Sequence, residues 1–367
     1  MRRFPHSSRG ARRRLRSPAR WGLRALWWTP AAAVAWWSGR PYVLDLIAQF
    51  GPHASVALGL GCVGALVIGG GRRPGRLLGA ELGLAAAAAL GLCLLVSRGG
   101  AARMAAAPPA EGDGRIVRVV VYNAKGEATR ADDEFDAWLR GQDADVVCII
   151  DQPWGYEASR AWITERYPHS VGPERGLSWS ILILSRHALT PGPLADQSGE
   201  HMFSFPARRA VTVRPEGGSP FVFTATHPPS PRTLETWRAS LAEARRDGLV
   251  ARRAHESTGL PVIVAGDFNS GATGAVHAAF GRASGLATWP TLFGRGTWPA
   301  GAPALVGIPI DRVWATPEVG LRAARVGPRF RSDHRPVTVD LFIPGRAQSA
   351  GERAGGGDPS SSDLSSP

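Results

Sequence analysis

Cysteine is scarce in this chain: three residues in 367, Cys62, Cys93 and Cys148. Cys62 and Cys93 fall in apolar stretches, and Cys148 falls in a predicted buried strand. The C-terminal part thus holds one cysteine, which excludes an internal disulfide there, and no Cys/His spacing fits a zinc site. Lysine is almost absent, Lys125 being the single one, so arginine carries nearly all the positive charge. With so much Ala and Gly, this reads as the imprint of a GC-rich genome and not as a functional signal. Excess positive charge is also missing from most of the chain. The formal net charge is +13, but residues 1–110 hold 15 arginines against two acids, Asp45 and Glu81, and the remainder balances 28 basic with 28 acidic residues. The sequence pI of about 11.1 therefore belongs to the N-terminal part and is no nucleic-acid footprint on the rest. No internal repeat is evident.

What the N-terminal part does have is apolar length. Residues 1–20 carry eight arginines and no acid. Apolar stretches follow at about 21–38, 43–70 and 77–97. A bilayer core takes about 20 apolar residues as a helix. The second and third stretches meet that length, and the first, interrupted by Arg24 and Pro30, is borderline. Their lack of a polar face argues against a buried helical bundle. Three transmembrane helices are therefore expected. The positive-inside rule keeps the Arg-rich start in the cytoplasm, with Arg72, Arg73 and Arg76 between the second and third spans on the same side. Three crossings then place the rest of the chain outside the cytoplasm; an interfacial first stretch would reverse that parity. Residues 98–114, rich in Ala, Gly and Pro, read as a linker, and residues 344–367 as a disordered tail.

The domain between them, residues 115–343, mixes two periodicities. Strands are predicted at 116–122, 146–150, 180–184, 210–214, 221–226, 261–265 and 335–342, and helices at 132–140 and 233–255. Hairpins alternating with strand–helix–strand units imply an α/β fold with a mixed sheet or two sheets.

Six short segments place Asn, Asp or His at the ends of apolar runs: Tyr122-Asn123, Asp151, Thr226-His227, Gly266-Asp267-Phe268-Asn269, Ile310-Asp311 and Ser332-Asp333-His334. Together they supply carboxylates and an amide for a hard cation and imidazoles for proton transfer, the parts for metal-assisted cleavage of a phosphate ester. Residues i and i+2 of an extended segment point the same way. Asp267 and Asn269, with Gly266 as pivot, can thus present a carboxylate to orient or deprotonate water and an amide to hold a phosphate oxygen. Asp333 and His334 face opposite ways, the first suited to a metal and the second to a phosphate oxygen. Asp311 is placed to orient His334. His227, displayed before two prolines, is a candidate acid for the leaving group. One strand–helix–strand unit brings Asn123 and Asp151 to the same sheet edge. Glu157, Arg175 and Arg208 are weaker candidates for substrate contact. Each segment alone also fits an ordinary turn or a solvated loop; the ordered set carries the argument.

In this order the six segments resemble the endonuclease/exonuclease/phosphatase superfamily, with its deoxyribonuclease-I-like fold, over about residues 115–343. The N-terminal stretches resemble those of its bacterial membrane-anchored members. The resemblance implies a four-layer α/β sandwich and a metal site of Asn123, Asp151 and Asp333 for Mg²⁺, with Mn²⁺ as a substitute. It further implies Asp267 on the attacking water, Asn269 on the phosphate, His227 on the leaving-group side, and His334 with Asp311 on the charge developing at phosphorus. Three departures stand out. Tyr122-Asn123 replaces the usual Trp-Asn, and Ile150-Asp151 replaces Gln-Glu with a carboxylate one methylene shorter. Ser178-Trp179-Ser180 offers no clear catalytic group. The leading expectation is a membrane-anchored phosphoesterase whose substrate is nucleic acid or a phospholipid or small phosphodiester. The alternative, resting on Asp151, is a degenerate member that binds phosphate or a partner without turnover. No feature points to a protein partner.

Overall fold

The computed structural model describes residues 114–126, 133–152, 160–172, 180–193, 208–289 and 295–345, with Tyr156; before them it describes Asp45, residues 49–68 and short pieces within 79–106. In chain order the elements are helix α1 (Gly51–Ile68), strands β1 (Ala102–Arg103) and β2 (Gly114–Asn123), helix α2 (Asp133–Gln142), β3 (Val146–Gln152), α3 (Ala161–Arg166), β4 (His169–Val171), β5 (Ser180–Ser185), β6 (Ala188–Pro191), β7 (Arg208–Arg214) and β8 (Phe221–Thr226). Then come α4 (Leu234–Thr258), β9 (Val262–Asp267), α5 (Ala275–Ser284), β10 (Ala287–Thr288), β11 (Asp311–Ala315), β12 (Gly320–Val326) and β13 (Val337–Pro344).

The strands form two mixed sheets. One runs β1-β10-β11-β9-β8-β7-β6, the other β12-β13-β2-β3-β5-β4. Period-2 alternation explains why the sheets face each other and still carry helices outside. On β2, Val117, Val119 and Val121 enter the core between the sheets, while Val120 and Tyr122 face outward onto Phe135 and Leu139 of α2. On β9, Ile263 and Ala265 face inward, while Val262 and Val264 meet Ala244 and Ala251 of α4 and Phe280 of α5. Strands buried on both faces need unbroken apolar runs, as Val146–Ile150 and Val262–Ala265 supply. The result is four layers, helix–sheet–sheet–helix.

Helix α4 is well delimited. Thr233 and Thr236 exchange backbone-to-hydroxyl bonds of 3.1 and 2.9 Å at its start. Gly259 ends it at φ 64°, the left-handed conformation that favours glycine.

The expected transmembrane stretches fare differently. Residues 21–38 and most of 77–97 lie outside the described residues. The stretch 43–70 contains α1, whose 18 residues rise about 27 Å. Among the described residues no helix is long and apolar enough to cross a membrane. Most of the 98–114 linker and of the 344–367 tail also lies outside the described residues, as do Glu157, Arg175 and the 178–179 pair.

Candidate active site

Every segment singled out above ends at one edge of the two sheets. Strands β2 and β3 are parallel, with Asn123 opposite Ile150, so Asn123 and Asp151 emerge side by side. Strands β8 and β9 are also parallel, with Thr226 opposite Gly266, so His227 and Asp267 emerge together. Antiparallel β11 begins at that edge, with Asp311 opposite Asp267. The loop before β13 brings Asp333 and His334 back to it. Ser332 ties this loop down: its hydroxyl donates to the Asn123 carbonyl at 2.8 Å and accepts from the His334 N–H at 3.0 Å.

Asp267 is the centre. It is buried, and Asn123 Nδ2 donates to its Oδ2 at 2.9 Å while the Asn269 N–H donates to its Oδ1 at 2.7 Å. His227 Nε2 lies 3.6 Å and His334 Nε2 lies 3.7 Å from the same Oδ2. Each ring is held from its other nitrogen: His227 Nδ1 is 3.2 Å from Asp151 Oδ1, and His334 Nδ1 is 2.9 Å from Asp311 Oδ2. Two backbone outliers aim this set. Asp151 sits at φ 48° and Asn269 at φ 49°, conformations that cost a non-glycine residue free energy and cluster where side chains must be presented. At Asp151 the β3–β5 register also shifts, between Ile149 and Gln152. Asn269 Nδ2 donates to the Pro228 carbonyl at 3.0 Å, linking its turn to the segment after His227.

The electrostatics follow from this packing. Burial pulls both imidazoles down, but carboxylates overcome it. Asp151 and Asp267 lift His227 to about 9, and Asp311 and Asp267 lift His334 to about 10. Both rings are therefore cationic at neutral pH. Asp267 is raised by its burial and by nearby Asp311, against the opposing pull of the two imidazolium rings. Asp333 is lowered: its partial burial works the other way, but Lys125 Nζ, 2.7 Å from its Oδ2, prevails.

These residues line a pocket of about 860 Å³. Asn123, Asp151, His227, Asp267, Asn269, Asp333 and His334 all reach it, and Asp311 stands behind His334. Arg208 does not; it is buried and paired with Asp247, which also binds the Thr226 hydroxyl, so it braces β7 and β8 against α4. The pocket contains groups the motifs did not reveal: Lys125, Trp298, Arg232, and Gln49 with Phe50 from before α1. Lys125 stood two residues past Asn123, a signal that was available. Gln49 and Phe50, remote in sequence, gave none.

The donor set suits a hard divalent cation. Asp151 and Asp333 offer carboxylate oxygens and Asn123 an amide oxygen, and the buried Asp333 Oδ1 has no hydrogen-bond partner. Ligand atoms of Asp267, Asp311 and His334 also lie within 4.8 Å of one another. In that cluster Asp311 and His334 spend their facing atoms on each other, so it is better suited to holding a ring than an ion.

The fold and site together define a phosphoester-hydrolase architecture. The Endonuclease/Exonuclease/phosphatase family model matches residues 120–334, so the chain belongs to this family, whose members hydrolyse phosphoester bonds. Among solved structures, an endonuclease/exonuclease/phosphatase from Beutenbergia cavernae DSM 12333 is similar at 22% identity, covering 63% of this chain and 72% of that one, with a TM-score of 0.48. An endonuclease/exonuclease/phosphatase family protein from Bacteroides thetaiotaomicron is similar at 16% identity, covering 63% and 98%, with a TM-score of 0.49. D. rerio TDP2 complexed with single-strand DNA product is similar at 16% identity, covering 62% and 98%, with a TM-score of 0.47. No curated protein matches the chain.

Proposed function

We propose that the chain is a Mg²⁺-dependent phosphoester hydrolase, acting on a phosphodiester, and that its N-terminal apolar stretches anchor it to a membrane with the catalytic domain outside the cytoplasm. One observation carries the hydrolase reading: two imidazole Nε2 atoms, both on rings lifted well above neutrality, lie within 3.7 Å of one buried carboxylate oxygen, Asp267 Oδ2. Two cationic donors beside a carboxylate of raised pKa can hold a phosphate anion next to a base.

The residues act as follows. Asp267 accepts a proton from a water molecule, whose oxygen forms a bond to phosphorus. The opposite P–O ester bond breaks, and His227 gives its proton to the departing oxygen. His334, fixed by Asp311, and the Asn269 amide stabilise the charge that develops on the remaining oxygens. Asn123, Asp151 and Asp333 would hold Mg²⁺, which supplies Lewis-acid polarisation of a phosphoryl oxygen. Aspartate in place of the longer glutamate at 151 is compatible with a cation that keeps several waters. Membrane anchoring is supported by the apolar stretches and by the exposure of Val56, Leu60, Val63 and Val67 along α1.

The test uses the full chain in detergent with bis(p-nitrophenyl) phosphate, in Mg²⁺ and in EDTA. Metal-dependent release of nitrophenol, lost in Asp267→Ala and His227→Ala, is the expected result. Mg²⁺ binding by calorimetry without turnover would replace the hydrolase with a phosphate-binding module.

A further inference from the structure

Three residues that precede α1, Asp45, Gln49 and Phe50, pack against or line the active site. Asp45 is fully buried, although it lies far in sequence from the catalytic domain. Its Oδ2 accepts from the Trp237 indole N–H at 2.8 Å, and its Oδ1 accepts from the Ala275 N–H at 2.6 Å. Four residues on in sequence, Gln49 is also buried, and its Oε1 accepts from the Gly271 N–H at 3.0 Å. A buried carboxylate with two directed donors is a specific latch, since a carboxylate is costly to bury unpaired. The latch sets Gln49 and Phe50 into the pocket wall, beside Trp298, Ile308 and Pro229.

What this wall continues into decides what it admits. Phe50 is 44% exposed, and α1 begins at the next residue. From there Val56, Leu60, Val63 and Val67 stay exposed at spacings of four, three and four, one stripe of the helix. No Asp, Glu, Lys or Arg occurs from residue 46 to residue 71. The exposed Phe50 of the pocket wall is thus followed directly in sequence by a helix with an exposed apolar stripe. Among the described residues, the pocket's cations besides the histidines are Lys125 and Arg232. A nucleic-acid strand would need a basic track for successive phosphates, and the residues beyond 110 carry no net charge.

We propose that the substrate is a phosphoester carried on a lipid, reached at the bilayer that the α1 stretch contacts, with Phe50 contacting the lipid's apolar portion. This rests on the hydrolase reading above. Hydrolysis adds the oxygen of water to phosphorus, breaks one P–O ester bond and delivers the proton of water to the leaving oxygen.

The experiment compares three substrates with the full chain reconstituted in vesicles. They are phosphatidylglycerol in those vesicles, its deacylated water-soluble glycerophosphodiester, and single-stranded DNA, with bis(p-nitrophenyl) phosphate as the generic ester. The expected result is a kcat/KM at least tenfold higher for the lipid than for its deacylated form. In Phe50→Ala that ratio falls at least fivefold, and in Asp45→Ala it falls with it. Equal rates on lipid and deacylated ester, preference for DNA, or a ratio unmoved by Phe50→Ala would overturn the lipid assignment while leaving the hydrolase standing. Inertness toward all four, with Mg²⁺, would remove both.

Discussion

Asp311 Oδ2 lies 2.9 Å from His334 Nδ1, and both side chains are buried beneath the pocket. The bond fixes which nitrogen of the ring faces Asp267 and, with Asp267, keeps the ring protonated up to about 10. Asp311 itself touches no substrate position; it is a positioning residue. Asp311→Asn should lower kcat by at least about tenfold, since the carboxylate fixes the tautomer and charge of a working histidine. The same substitution should move the His334 titration downward, read from its imidazole NMR shifts. A fall in kcat with the His334 titration unmoved would show that Asp311 acts only through packing.

Gly266 is required by a backbone contact and not by a turn. A Cβ there would lie 1.8 Å from the Thr226 carbonyl oxygen on the parallel neighbour β8. Backbone cannot swing aside as a flexible side chain can. Gly266→Ala should therefore destabilise the domain by about 1–3 kcal/mol, the range for overpacking, and push His227 away from Asp267. Urea denaturation gives the first, and loss of activity under fully folded conditions the second. Unchanged stability would mean that β8 and β9 can separate without cost.

Much of this arrangement could be read from the chain because it is local. The runs before Asp151 and Asp267 are unbroken apolar runs, that before Asn123 is interrupted by Arg118 alone, and such runs mark central strands. Thr233 and Gly259 mark the ends of α4 through capping chemistry that a sequence displays. What stayed hidden is either low in contrast or distant. Half of helix α5 is Ala and Gly, so its buried face does not stand out, and β12, at a sheet edge, is mostly partly buried or exposed without a period of two. The short strands β1, β4, β6 and β10 have too few residues to show a period. Gln49 joins the pocket through a bond to Gly271, 222 positions away, and no periodicity reports that.

His277 supplies an acid-side stability effect away from the site. It is buried, its ring centroid 4.6 Å from that of Trp314. Burial, and then the charge of Arg312, hold it well below its ordinary 6.5. The folded ring thus stays neutral while the unfolded ring takes a proton below about pH 6.5. More protons are bound in the unfolded state there, so this contribution is full above pH 6.5 and is lost as pH falls, with a limiting slope of about 1.4 kcal/mol per pH unit. Asp247, raised to about 6 chiefly by burial, acts in the opposite sense, so wild type and variant must be compared. Of urea midpoints taken at pH 7.5, 6.0 and 5.0, that of wild type should fall relative to that of His277→Phe as pH falls. Parallel curves would mean that His277 takes up its proton inside the fold.

Lys125 places a cation where the proposed metal site needs anions. Its ammonium is 2.7 Å from Asp333 Oδ2, and its backbone N–H holds the Asn123 amide oxygen at 3.0 Å. Both side chains of the ion pair are about half-exposed, 52% and 38%, so the attraction is screened and worth about 0.2–1 kcal/mol. A divalent ion binding Asp333 must displace or tolerate that charge. Lys125→Met keeps the backbone bond and the chain length but removes the competitor. Mg²⁺ affinity by calorimetry should rise about 1.5–5-fold, the same free energy expressed as a ratio. Activity need not follow, because the ammonium freed from Asp333 is also the cation best placed to meet a phosphate oxygen. Tighter metal binding with slower turnover would assign it that second duty, and weaker metal binding would show that it organises Asp333 instead of opposing the metal.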